Sequence, residues 1–92
     1  MSKSIMQDEK VCYLTGSTVN LHKHHVFGGP HRQASEKWGC WVWLRAEYHN
    51  MSDKGVHFDK SLDSIIKQDT QEQFEKLYGH IKFMEVFGRN YL

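Results

Sequence analysis

Val19-Asn20-Leu21-His22-Lys23-His24-His25-Val26-Phe27, followed at once by Gly28-Gly29-Pro30, is the stretch whose reading decides the fold. Apolar and polar residues run through it at the short period of a half-buried strand. The Gly-Gly-Pro triplet must end that strand, because proline offers no N–H to a ladder and glycine favours turns. A polar loop extends through Lys37, and Trp38-Gly39-Cys40-Trp41-Val42-Trp43-Leu44 then alternates aromatic and aliphatic residues of strong strand propensity. Together the two runs predict an antiparallel hairpin with a long loop.

Upstream, residues 11–14 form a short β-prone run closed by Thr15-Gly16-Ser17-Thr18, which predicts a further strand. Residues 1–10 are polar and aperiodic and predict a loose arm ahead of a single domain over 11–92. Downstream, a polar connector over 45–58 gives way to a new period. Leu62, Ile65, Ile66, Asp69, Gln73, Phe74, Leu77, Tyr78 and Ile81 recur at three- and four-residue intervals, predicting an amphipathic helix over 60–78 with Asp59 as its N-cap. Its stripe of Leu62, Ile65, Ile66, Phe74 and Leu77 is the expected core face. Gly79 stops or kinks this helix, and Phe83, Val86 and Phe87 predict one or two more turns before Gly88 and a packed tail, Arg89-Asn90-Tyr91-Leu92. The expected class is a small α+β domain, a β-hairpin with an amphipathic C-terminal helix.

The chain has 92 residues with 12 Lys and Arg against 11 Asp and Glu, a net charge of +1. That falls short of the basic excess that marks a dedicated DNA-binding domain. Locally, His22, Lys23, His24, His25, His31, Arg32 and Lys37 share one stretch whose nearby acid is Glu36; it reads either as a phosphate-facing patch or as a solvated charged surface. Hydrophobic runs fall well short of a bilayer span, so no membrane partner is expected. A domain of this size has little core to spare and is commonly stabilised by a metal, a disulfide or a partner chain. Cys12 and Cys40 lack CxxC spacing and the N-terminus has no apolar signal core, so reduced thiols in the cytoplasm are expected. Trp41 and Trp43 fall on one face of their strand and Val42 and Leu44 on the other, which predicts a homodimer built on the apolar face left over.

Adjacent histidines at a strand end, with His49 just beyond the partner strand, suit phosphodiester hydrolysis. One imidazole can hold a divalent cation while the other activates water. The segments His24-His25-Val26-Phe27-Gly28-Gly29, Trp41-Val42-Trp43-Leu44, His49-Asn50 and Gly55-Val56-His57 resemble the HNH endonucleases of the ββα-metal fold, above all the short versions encoded by phages and prophages. The likeness runs over about residues 11–67, and Phe87-Gly88-Arg89-Asn90-Tyr91-Leu92 resembles the tail of those small phage proteins.

The resemblance implies a metal-dependent DNA endonuclease or nickase working in the cytoplasm of a host cell. It makes His24 and His49 metal ligands, with Asn50 a nearby substitute, and His25 the general base. His57, Lys23 and Arg32 become phosphate contacts. One cation, Mg2+ or Mn2+ with Zn2+ or Ni2+ as alternatives, bridges the scissile phosphate and the leaving 3′ oxygen, while hairpin and helix clamp DNA. The chain departs from the family in two ways. Thr15, Arg45 and Tyr48 stand where many members carry the remaining cysteines of a zinc ribbon, so a structural zinc is expected to be absent. The asparagine that braces the base is missing around Cys40, leaving Gln33, Ser35 or Glu36 to replace it. A non-catalytic module that binds DNA or a host protein is the rival reading, and a purely structural Zn2+ site on the histidines a third. His22 is expected to face solvent, and Gly28-Gly29 either to admit phosphate or simply to turn the chain.

Overall fold

The computed structural model describes residues 3–49 and 60–92, with side-chain surroundings for all of these except Tyr48 and His49. Strand β1, Leu21–His25, pairs antiparallel with β2, Trp41–Arg45, in a register that sets His24 against Val42 and His25 against Trp41. Between them lie a 3-10 turn, Gly29–His31, and helix α1, Arg32–Trp38. A short helix α2, Ala46–His49, follows β2, and α3, Lys60–Tyr78, and α4, His80–Phe87, complete the chain. The α+β class and the hairpin are as expected.

Both strands are shorter than their sequence signals. Asn20 sits at φ 52, a left-handed conformation that breaks the pleat before Leu21. At the other end Val26 still donates to the Cys40 carbonyl at 3.0 Å, while the backbone of Phe27 is taken by the Ser35 hydroxyl. The expected start of the second run at Trp38 is corrected to Trp41, because Trp38 closes α1 and Gly39, at φ 73, is that helix's left-handed C-cap. The expected polar loop is itself helical. Its residues Arg32-Gln33-Ala34-Ser35-Glu36-Lys37 are mostly good helix formers, but they bury only Ser35 fully and so show no apolar stripe.

The short run over 11–14 is not a strand. Cys12 donates its N–H to the Ser17 carbonyl at 2.8 Å and accepts from Gly16 on its own carbonyl at 2.8 Å, which folds the segment into a turn. One strand-like bond survives, from the Tyr13 N–H to the Trp43 carbonyl at 2.8 Å.

Helix α3 has the expected bounds, and its proposed cap Asp59 lies outside the described residues. Gly79 at φ 88 separates it from α4, and Gly88 at φ 68 ends α4. The buried face of α3 is Ile66, Thr70, Gln71 and Phe74, with Leu62 half-buried. Two members of the expected stripe, Ile65 and Leu77, are instead 53% and 52% exposed. Buried polar residues took part of that face because each is satisfied there. Thr70 donates to the Ile66 carbonyl, and Gln71 donates to Glu75 and Asn90 while accepting from the Tyr91 N–H at 2.7 Å, which fastens the tail to α3.

The core forms where α3 and α4 meet the hairpin. Val42, Leu44, Cys40 and Cys12 are buried with Phe27, Ile66, Phe74, Phe83 and Phe87. Phe27 lies 4.5 Å from Phe87 and 5.0 Å from Tyr91 between ring centroids, and Phe74 lies 5.6 Å from Trp38 and 5.4 Å from Phe83. Each such ring buried on folding contributes about 1.5–3 kcal/mol.

Val42 and Leu44 face this core as their alternation predicts, and Trp41 and Trp43 face away from it, edge to face at 5.5 Å. That outer face is not left open. Residues 3–10, expected as a loose arm, lie along it: Ile5 donates to the Gly39 carbonyl at 2.9 Å, Ser4 Oγ to the Trp41 carbonyl at 2.5 Å, and Gln7 Oε1 accepts from the Trp43 N–H at 2.9 Å. Lys23 Nζ stands 4.1 Å over the Trp41 ring and Lys10 Nζ 4.6 Å over that of Trp43. Trp41 is 7% exposed as a result, which removes the bare apolar face on which the expected homodimer rested.

Candidate active site

Strand periodicity decides where the two adjacent histidines point. Neighbours on a strand project to opposite faces, so His24 enters the core side and His25 the side of Lys23 and α1. His24 is 4% exposed. At the end of β1, where the sheet stops and Gly28-Gly29 turns the chain, both residues border one cleft of about 380 Å3. Its remaining walls are Val26, Gly28, Gly29 and three residues from α3, namely Lys60, Asp63 and Lys67.

The α3 residues escaped the sequence reading, which treated that helix only as core. Their spacing carried a signal: Lys60, Asp63 and Lys67 recur at three- and four-residue intervals on one side of the helix start. Asp63 and Lys67 form an i,i+4 pair with Nζ and Oδ2 2.8 Å apart. Lys67 also lies 5.6 Å from the Tyr91 ring, so the C-terminal tail backs this wall.

His25 is held by a carboxylate. Glu36, in the last turn of α1, places Oε1 2.9 Å from His25 Nε2 and 2.6 Å from Lys23 Nζ. The hydrogen bonds from Lys23 and then His25 hold the Glu36 carboxyl below its ordinary range. Of Gln33, Ser35 and Glu36, Glu36 is therefore the one in contact with His25. Ser35 is occupied with Phe27, and Gln33 is exposed.

Other expected site residues are placed differently. His49 is the last residue of α2, its side chain being outside the described set, as are Asn50 and His57 altogether. Lys23, expected on phosphate, is committed to Glu36 and the Trp41 ring. Arg32 is exposed at the start of α1 and does not line the cleft. His22 is exposed, as expected. Among the described residues, no three His, Cys, Asp or Glu side chains come together as a metal-holding group.

Cys12 lies beside Thr15 and Arg45. Cys12 Sγ accepts the Arg45 N–H at 3.4 Å. Burial pushes the Cys12 thiol up, but hydrogen bonds from the Thr15 side chain and from the backbone of Arg45, Leu14 and Thr15 bring it below its ordinary value overall. Burial alone pushes the Cys40 thiol up to about 12, which fits its reading as a small apolar core residue.

No protein-family model, curated protein or solved structure matches this chain. No helix among the described residues is long and apolar enough to cross a membrane.

Proposed function

We propose that the chain is a metal-dependent endonuclease or nickase of HNH type, with the cleft at the end of β1 as its active site. The observation that carries this reading is the pairing of His25 with Glu36 at the edge of a cleft that His24, Lys60, Asp63 and Lys67 also line. A general base needs a fixed orientation, an accepting nitrogen and access to the reacting group. The carboxylate partner supports the first two, and the cleft the third.

His24 and Asp63 offer the cleft one imidazole and one carboxylate. Such mixed nitrogen and oxygen donors fit Mn2+, Zn2+ or Ni2+ better than Mg2+, which prefers all-oxygen ligands. A bound cation would stabilise charge on the phosphate and on the leaving oxygen. His25 takes a proton from a water molecule as the water oxygen bonds to phosphorus, and the bond from phosphorus to the 3′ oxygen breaks. The departing oxygen recovers a proton from solvent. Lys60 contacts phosphate oxygens from the start of α3, and the backbone at Gly28-Gly29 lets a strand of DNA come close because no Cβ stands in the way.

Purified protein with Mg2+ or Mn2+ should convert supercoiled plasmid to nicked or linear forms, and chelator should stop it. Absence of cleavage by a protein that stays folded in chelator and retards DNA or captures a host protein would replace this reading with that of a binding module.

A further inference from the structure

We propose that Glu36 is the positioning residue for His25: its carboxylate fixes the imidazole as the Nε2–H tautomer and leaves Nδ1 to accept the proton. This inference rests on the reading of His25 as the general base.

The geometry fixes who donates. Lys23 Nζ can only donate, and it meets the same oxygen, Oε1, that His25 Nε2 meets at 2.9 Å. An ionised carboxylate can only accept. His25 Nε2 therefore carries the hydrogen, and in a neutral ring the lone pair lies on Nδ1. The lysine beside Glu36 keeps that carboxylate ionised, so the acceptor persists across neutral pH.

Glu36 is not a mobile surface carboxylate that happens to lie nearby. It follows Ser35, which is wholly buried and bonded both ways to Phe27, donating to its carbonyl at 2.7 Å and accepting from its N–H at 3.1 Å. Cys40 donates its N–H to the Ser35 carbonyl at 2.8 Å. Three bonds thus pin the last turn of α1 to the end of β1 and the start of β2. Lys23 is itself held over the Trp41 ring at 4.1 Å. The helix inserted into the hairpin loop has in this way brought an acid to His25.

Long-range 1H–15N correlation spectra of the histidine rings at about pH 8.5, where an ordinary histidine is neutral, test this directly. The His25→Ala spectrum assigns the signal. Wild type and Glu36→Gln should show the Nε2–H tautomer, since the amide oxygen still accepts from both Lys23 and His25, whereas Glu36→Ala should show a mixture. Plasmid nicking should fall about 10- to 100-fold in Glu36→Ala through the turnover rate and not through DNA affinity, and recover in part in Glu36→Gln. An Nδ1–H ring in wild type, or an unchanged tautomer in Glu36→Ala, overturns the proposal. Should Glu36→Ala not fold, the wild-type ring and Glu36→Gln decide it. A wild-type protein with the expected tautomer but no cleavage sinks the nuclease reading separately.

Discussion

At the scale of single residues, His24 and His25 are chemically alike and structurally opposite, one committed to the core side and one to a carboxylate. Their alanine variants should part accordingly. On the proposed reading, His25→Ala removes the proton acceptor and should cost about 10²- to 10⁴-fold in nicking rate while metal binding persists. His24→Ala should weaken metal affinity, with partial recovery in excess Mn2+, and should also lower thermal stability by on the order of 1–3 kcal/mol, because it empties a buried position. Equal losses in both, with no effect of Mn2+, would show the division of labour to be wrong. Glu36 contributes a pH dependence of its own. Its folded pKa is depressed by Lys23 and His25, so its stabilisation is present above the ordinary carboxylate value of about 4.3 and is lost as pH falls through the lower folded value. Melting temperature followed from pH 6 down to pH 2 should therefore drop, and Glu36→Gln should drop less.

Among the elements, α3 serves two masters: its first turns wall the cleft and its middle carries the aromatic core. Phe74 lies against Trp38, Tyr78, Phe83 and Phe87, joining α1, α3 and α4. Phe74→Ala should destabilise the protein by about 3–5 kcal/mol, measured by urea unfolding. That is a large share of the roughly 5–15 kcal/mol typical of a whole domain. A loss under 1 kcal/mol would contradict the packing described. The long helix was legible because its three- and four-residue period is sustained, and α4 because two glycines bracket it. Helix α1 was illegible for the converse reason: it is short and meets the core through Ala34, Ser35 and Trp38 alone, too few apolar positions for a stripe to announce it. The histidine pair was visible in sequence, but the cleft's far wall was not, since Lys60, Asp63 and Lys67 acquire meaning only when β1 is laid beside α3. Exposure of Ile65 and Leu77 shows the same limit, because a helix wrapped on one side by a short hairpin buries less of its stripe than its pattern offers.

For the molecule as a whole, the first residues complete the structure. A side chain at Gly39 would run into the Lys3 carbonyl oxygen and Ile5, and φ 73 there already favours glycine. Gly39→Ala or removal of residues 1–8 should shift tryptophan emission to longer wavelength and raise self-association in sedimentation relative to the unaltered chain. Unchanged emission and sedimentation in both variants would show that the segment covers nothing of consequence. The reason reaches beyond the tryptophans. A sheet of two strands has an outer rim on each, and the rim of β2 offers backbone groups that any extended peptide can pair with. Here the Trp43 N–H is answered by a glutamine side chain, the Trp41 carbonyl by a serine hydroxyl and the Trp43 carbonyl by a residue already turning away. Partners of that kind satisfy the β2 rim without extending it, so a ladder cannot be continued from that side of the hairpin by the next copy of the chain. The opening residues thus close one of the two rims from which a tryptophan-bearing hairpin could be extended.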